Sequence, residues 1–312
     1  MPPADPSPDA DVCGAVRVQA PAKVNLHLSV GLARPDGFHD LVTVFHAVDL
    51  VDEVSAAPAS GLRITVLGDG AADVPADERN LAWQAAQLLA DTAGIAAHAH
   101  LTIRKAIPVA GGMAGGSADA AAALVACARL WDLDVGPAEL APLAAQLGSD
   151  VTFPLLGGTA LGTGRGELLE PVECAAPLHW VFALADHGIS AGAAYGELDR
   201  QRDAGLAPPP IGAPDSLLAA LADGDVTAVA ATLGNDLQPA ALALAPRLEH
   251  TLRVGGEAGA LAGIVSGSGP TCAFLCRDGA AANLVAATLE AAGGCRTARV
   301  ATGPVPGARI AS

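Results

Sequence analysis

Residues Ile107 to Leu124 read Ile-Pro-Val-Ala-Gly-Gly-Met-Ala-Gly-Gly-Ser-Ala-Asp-Ala-Ala-Ala-Ala-Leu, and this stretch limits most strongly what the chain can become. Four glycines without β-carbons let backbone N–H groups approach a ligand closely. The alanine run after Ser117 predicts a helix, which turns the positive end of its dipole toward the glycine loop. Loop N–H groups beside a helix N-terminus make an anion site, and phosphate is the usual anion in enzymes. The loop is not a Walker A motif, because Ser117-Ala118 stands where Lys-Ser/Thr is needed. It is not a dinucleotide fingerprint either, since it holds no Gly-x-Gly-x-x-Gly.

The formal charge of −16 argues against a nucleic-acid surface, and an anionic ligand must therefore be drawn in by a local site. Hydrophobic residues make up 51% and charged residues 16%, a balance that suits a globular chain and not a disordered one. Mean hydropathy is positive, but the longest uncharged run, Ala258 to Cys276, is interrupted by Ser266-Gly267-Ser268-Gly269-Pro270. That interruption predicts strand–loop–strand and no membrane span. The proline-rich residues 1–14 carry no basic or apolar region and predict a disordered lead-in, not a signal peptide. Six scattered cysteines without ligand spacing predict a reduced, cytoplasmic enzyme.

Along the chain, Val16 to Ala20 alternates as a strand. Val24, Leu26, Leu28 and Val30 predict one apolar face, with Lys23, Asn25, His27 and Ser29 on the other. Arg34-Pro35-Asp36-Gly37 predicts a turn, and Leu41–Leu50 and Leu62–Leu67 predict strands. Asn80 is expected to cap a helix ending at Gly94. Leu101 and Ile103 lead into the glycine loop, and Pro137 opens a helix ending near Gly148 despite Pro142. Beyond Trp180–Ala185, helices are expected at Ala191–Arg202, Ser216–Ala222 and Pro239–Val254. Strands are expected at Ile264–Val265, Thr271–Leu275 and Ala298–Ala301, with a helix from Ala280. Loose alternation of strands and helices predicts two mixed α/β domains, 15–175 and 176–312.

Taken one at a time, the remaining candidates are ordinary. Lys23 reads as an exposed lysine, Asp150 as a helix cap, His39 as a turn residue and the Ser-Gly-Ser-Gly-Pro run as a tight connection. Together they resemble a family. Pro21-Ala22-Lys23-Val24-Asn25-Leu26, the loop Pro108 to Ala118 and Ser266-Gly267-Ser268-Gly269-Pro270 are similar in order and spacing to the three motifs of the GHMP small-molecule kinases. Three further segments resemble the branch acting on 4-diphosphocytidyl-2-C-methyl-D-erythritol (CDP-ME) in non-mevalonate isoprenoid synthesis. These are Arg34-Pro35-Asp36-Gly37-Phe38-His39, Leu147-Gly148-Ser149-Asp150-Val151 and Gly234-Asn235-Asp236-Leu237.

The resemblance implies ATP-dependent phosphorylation of the 2-hydroxyl of CDP-ME, a small-molecule substrate. The implied fold is α/β (α+β), with an N-terminal domain like the second domain of ribosomal protein S5 and a ferredoxin-like C-terminal domain. Monomer and homodimer are both left open. Pro108, Val109, Ala110, Gly111, Gly112, Met113, Ala114, Gly115, Gly116, Ser117 and Ala118 would hold the ATP phosphates, with Mg²⁺ bridging them and Ser117 nearest the metal. Asp150 would be the general base and Lys23 its cationic neighbour. Asn25 would orient the hydroxyl, while Phe38, His39 and Tyr195 would enclose the cytosine. Asn80 and Lys105 match positions near the adenine, and Ser266, Gly267, Ser268 and Gly269 form the third motif. Two departures stand out: Ala118 replaces a serine common in the family, and Thr152 replaces a proline. Rival readings are another GHMP kinase (for homoserine or mevalonate), a non-catalytic ligand sensor on the same scaffold and, more remotely, a dinucleotide dehydrogenase.

Overall fold

The computed structural model describes residues 14–311. The expected disordered lead-in, apart from Gly14, lies outside the described residues. The first sheet is built in chain order from β1 (Val16–Ala33), β2 (His39–Ala57), β3 (Arg63–Gly68), β4 (His100–Lys105), β5 (Thr159–Thr163) and β6 (Leu168–Pro171). Its main path runs from β1 through β2 and β4 to β3, with β5 pairing β2 and β6 pairing β5. The two segments expected at Val16–Ala20 and Val24–Val30 are one continuous strand.

Within β1 the predicted faces change over. Asn25 pairs Phe45, but His27 pairs Val44, so Leu26 is an extra residue in a bulge. A bulge shifts the period-two alternation by one position. Val24 and Leu26 therefore enter the main core. Leu28 and Val30 pack instead with Leu198 and Leu237, and Leu28 lines the same cavity as Lys23 and Asn25. The single apolar face from Val24 to Val30 is thus corrected to two half-faces on opposite sides.

Four helices follow within this half: α1 (Leu81–Ala93), α2 (Gly115–Leu130), α3 (Pro137–Leu147) and α4 (Thr152–Leu156). Asn80 caps α1 as expected, its side chain accepting the Ala82 N–H at 2.8 Å. Helix α2 starts at Gly115, two residues before Ser117 and earlier than the alanine run suggested. Eleven of its sixteen residues are buried, so its alanines place it at the centre, against β1, β2 and α1. Small side chains allow that close approach.

The second sheet contains β7 (Leu178–Leu184), β9 (Ala262–Val265), β10 (Cys272–Cys276) and β11 (Thr297–Gly303) in the order β11-β7-β10-β9. Numbered within this sheet, the order is fourth, first, third, second, and every neighbouring pair is antiparallel. This is the ferredoxin-like arrangement, with α9 (Arg247–Glu257) and α10 (Gly279–Ala291) packed on it. Between β7 and β9 run α5 (Ala191–Asp203), α6 (Asp215–Asp223), α7 (Val226–Thr232) and α8 (Gln238–Leu244). The helix expected over Pro239–Val254 is two helices, α8 and α9. The residue before a proline avoids the helical region, and Ala245 before Pro246 sits at φ −138°, ψ 78°.

Two short strands return to the first sheet: β8 (Gly234–Asn235) runs parallel to β1, and β12 (Arg309–Ile310) antiparallel to it. No helix among the described residues is long and apolar enough to cross a membrane.

Candidate active site

The glycine loop and the Ser266–Pro270 turn meet above β1. In the loop, Ala110, Gly112 and Ala114 have positive φ values of 52°, 74° and 60°. A backbone that alternates hand in this way gathers N–H groups into a concave nest. The first-turn N–H groups of Gly115, Gly116 and Ser117 have no acceptor inside α2, which adds donors and the positive dipole end to the same place. Gly112 tolerates no side chain: an added Cβ would stand 2.0 Å from the Ser266 carbonyl oxygen. The Ser266 hydroxyl donates to the Gly112 carbonyl at 3.2 Å. Gly267 is less tightly confined: its Cβ would lie 3.0 Å from the Gly112 carbonyl oxygen and 3.1 Å from Lys23 Nζ, and its φ of 55° favours glycine.

Lys23 reaches the site from β1, and its backbone N–H donates to the Met113 carbonyl at 3.3 Å, which joins strand to loop. Its buried ammonium donates to Asn25 Oδ1 at 2.6 Å and stands 3.7 Å from Asp150 Oδ2. Asn25 Nδ2 donates to Thr43 Oγ1 at 2.8 Å, and Thr43 Oγ1 donates to the His27 carbonyl at 2.7 Å. Burial pushes the Lys23 ammonium below its usual range, and the Asp150 carboxylate opposes that shift. The Phe45 ring centroid lies 5.6 Å from Lys23 Nζ.

Asp150 is no helix cap. It occupies the turn after α3, where Val151 N–H donates to the Gly148 carbonyl at 3.1 Å, and Val151 is the N-cap of α4. Its side chain is 40% exposed, so the carboxylate is accessible beside an ammonium that is not. Thr152, where the resemblance leads one to expect proline, is the first residue of α4 and leaves its hydroxyl without a partner.

A cavity of about 660 Å³ opens from this pair, with Ser117 and Ala114 on the loop side and Phe38, His39 and Tyr195 at the far end. The Arg34–Phe38 turn is closed by Arg34 N–H donating to the Phe38 carbonyl at 2.7 Å. His39 Nε2 lies 3.0 and 3.2 Å from the two Asp199 carboxylate oxygens, and its ring stacks on Tyr195 at a centroid distance of 5.0 Å. Burial raises the Tyr195 phenol. Phe38 is 49% exposed and has the Arg165 guanidinium 4.8 Å from its centroid. Tyr195 thus joins the same chamber as Phe38, with His39 already against its ring.

The other side of the loop is different. Pro108, Val109, Ala110 and Gly111 line a second cavity of about 500 Å³, closed by the Asp69–Gly70 turn, Gly188 and Arg296. The two residues expected at the adenine are not on its walls. Both ends of the Asn80 amide are used, by Ala82 N–H and the Pro75 carbonyl. Lys105 is buried against Asp52 and lies 2.7 Å from Asp119 Oδ2. Asp52 also accepts the N–H groups of Ala106 and Ile107, and burial raises the Asp119 carboxyl. Lys105 belongs to an ion cluster beneath α2: a Cβ on Gly115 would come within 3.1 Å of its ammonium. Two buried carboxylates thus pair with the Lys105 ammonium.

Sequence reasoning gave no role to Asn235 and Asp236, although it singled out their segment. Asn235 Nδ2 donates to the Val265 and Gly267 carbonyls at 2.8 and 2.7 Å, which holds the third motif from behind. Asp236 accepts the N–H groups of Val30 and Ile211 and ties the same segment to β1. Arg165 and Asp199 were missed. An arginine alone between Gly164 and Gly166 was the only available signal for the first.

The GHMP kinases N terminal domain matches residues 80–158, and the GHMP kinases C terminal domain matches residues 217–295. The chain belongs to the GHMP kinase family and is a small-molecule kinase. Among its relatives, the 4-diphosphocytidyl-2-C-methyl-D-erythritol kinase of Mycobacterium tuberculosis is 59% identical over 96% of this chain and 94% of its own length. A crystal structure of 4-(cytidine 5′-diphospho)-2C-methyl-D-erythritol kinase superposes with a TM-score of 0.75 at 31% identity, covering 92% of this chain and 98% of that one. Homoserine kinase from Cytophaga hutchinsonii also gives a TM-score of 0.75, covering 96% and 98%, but at 21% identity. That likeness extends to the fold alone.

Proposed function

We propose that this kinase transfers the γ-phosphoryl group of ATP to the 2-hydroxyl of CDP-ME in the non-mevalonate route to isoprenoid precursors, acting in the cytoplasm. The observation that carries the reading is the Lys23–Asp150 pair. It lies at the mouth of the glycine loop, in a cavity that continues to Phe38 and His39. The name of the 59% identical relative supports the choice of substrate.

Phosphoryl transfer asks a protein for alignment and charge stabilisation more than for covalent chemistry. In this reading the nest between Ala110 and Ser117 holds the triphosphate, and the nucleoside extends into the cavity beyond Pro108. Asp150 accepts the proton of the 2-hydroxyl as that oxygen attacks phosphorus and the bond to ADP breaks. Lys23 keeps Asp150 ionised and stabilises the negative charge that builds on the transferring oxygens. Asn25, braced by Thr43, fixes where the ammonium points. The cytosine enters between Phe38 and the His39–Tyr195 stack.

No group of three or more potential metal-ligating side chains occurs among the described residues. Mg²⁺ does not need such a cage, because it keeps water and binds through phosphates and one or two protein oxygens. The Ser117 hydroxyl, which lines the cavity, is a hard oxygen donor of that kind. When bound, the ion would supply neutralisation of phosphate charge.

The test is Asp150→Asn. Loss of a positioned base costs roughly 10²- to 10⁴-fold in turnover, while the nest that binds ATP is untouched. The expected result is a fall of that size in kcat with CDP-ME and an unchanged ATP dissociation constant. Undiminished turnover would remove Asp150 from the base position.

A further inference from the structure

The large cavity has a charge problem. A cytidyl diphosphate substrate brings about two negative charges between its base and its reacting polyol, and the chain as a whole carries −16. Asp150 and Asp199 on the cavity wall add to the repulsion, and Lys23 is already engaged by Asp150 and Asn25. His39 faces the Asp199 carboxylate.

Arg165 is the remaining cation on that wall. It sits in the tight turn between β5 and β6, and its backbone is pinned: Arg165 N–H donates to Glu167 Oε2 at 2.6 Å, and Leu41 N–H donates to the neighbouring Gly164 carbonyl at 2.7 Å. The side chain is much less committed. Arg165 Nε is 3.9 Å from Glu167 Oε1, beyond hydrogen-bond length, and the side chain is 34% exposed. Its guanidinium rests over Phe38, a contact worth only about 0.5–1 kcal/mol when exposed to water. A rigid turn therefore presents a five-donor fork over the base-binding end of the cavity, weakly held and paired with the Glu167 carboxylate only at a distance beyond hydrogen bonding. Planar forks of this type pair with phosphate oxygens two at a time.

We infer that Arg165 binds the diphosphate of the substrate, and so selects a nucleoside-diphosphate-linked alcohol over a free one. This rests on the function proposed above. In the absence of substrate, the Phe38 ring holds the guanidinium near its working position, so little side-chain order has to be imposed on binding.

The experiment compares wild type, Arg165→Met and Arg165→Lys, using CDP-ME as substrate and CDP and cytidine as competing ligands. Losing a charge-assisted pair should cost roughly 10- to 100-fold in affinity. Arg165→Met should raise the KM for CDP-ME and the inhibition constant for CDP by that factor. Inhibition by cytidine, kcat and the KM for ATP should stay within about threefold, the last also reporting that the fold is intact. Arg165→Lys should recover part of the loss, because it restores charge without the fork. Equal weakening of CDP and cytidine would make Arg165 a prop for Phe38 and overturn the assignment, as would unchanged CDP inhibition. A wild-type enzyme that neither turns over CDP-ME nor binds CDP would instead overturn the proposed function, and this assignment with it.

Discussion

Two lysines of one sheet, Lys23 on β1 and Lys105 on β4 with β2 between them, have opposite fates, and burial alone does not separate them. Both are nearly inaccessible. Lys105 is closed in by two carboxylates that are themselves buried, whereas Lys23 faces one carboxylate that opens to a cavity. The first arrangement satisfies a charge; the second leaves it available to a ligand. The resemblance made Lys23 legible through its motif and put Lys105 near the adenine. The ion cluster around the Lys105 ammonium was not readable, because Asp52 and Asp119 lie 53 and 14 residues away and only the fold collects them. Removing one member of a buried ion cluster typically costs about 3–5 kcal/mol. Lys105→Met should therefore lower thermal and denaturant stability by an amount of that order. If Lys105 instead touched adenine, the same variant would raise the KM for ATP and leave the unfolding midpoint nearly unchanged.

At the scale of elements, much was readable where a local rule acts alone. The Asn80 cap, the Gly94 stop and the Pro137 start are all where side-chain chemistry puts them. The misses have equally local causes: the Leu26 bulge exchanged the two faces of β1, and Pro246 divided one expected helix into two. A bulge leaves no mark in a pattern of alternating residues, since every position still reads as strand. The candidate site depends on a contact between elements that no pattern encodes, the glycine loop lying against the Ser266–Pro270 turn. Gly112→Ala tests it, because the added carbon would meet the Ser266 backbone oxygen. Overpacking together with a left-handed non-glycine residue should cost roughly 2–4 kcal/mol and weaken ATP binding. Gly94→Ala, at φ 67° with open space around its Cβ position, carries only the conformational part and should cost about 1 kcal/mol. Equal losses at both sites, read by chemical denaturation, would mean that loop and turn do not touch.

Across the whole molecule, two sheets contribute to one chamber. The first supplies Lys23, Asn25, Phe45 and Arg165 from its strands and turns. The chain running between strands of the second supplies Tyr195 and Asp199 from α5, and Gly267 and Ser268 from the third motif. Short returns of chain at Gly234–Asn235 and Arg309–Ile310 join the later half to β1. The fold class was visible in the order of strands and helices, and the family in three motifs. The convergence of Lys23 and Asp150, 127 positions apart in the chain, had to come from the resemblance. Fold alone does not choose the substrate, since homoserine kinase shares this architecture equally well. The most direct measurement is ATP-dependent turnover by the wild-type enzyme with CDP-ME, homoserine and mevalonate, each compared as kcat/KM. Phe38, the His39–Tyr195 stack and Arg165 predict that CDP-ME exceeds both others by at least about 10³-fold, as expected when a site's base and charge contacts go unfilled. Faster turnover of homoserine or mevalonate would contradict it.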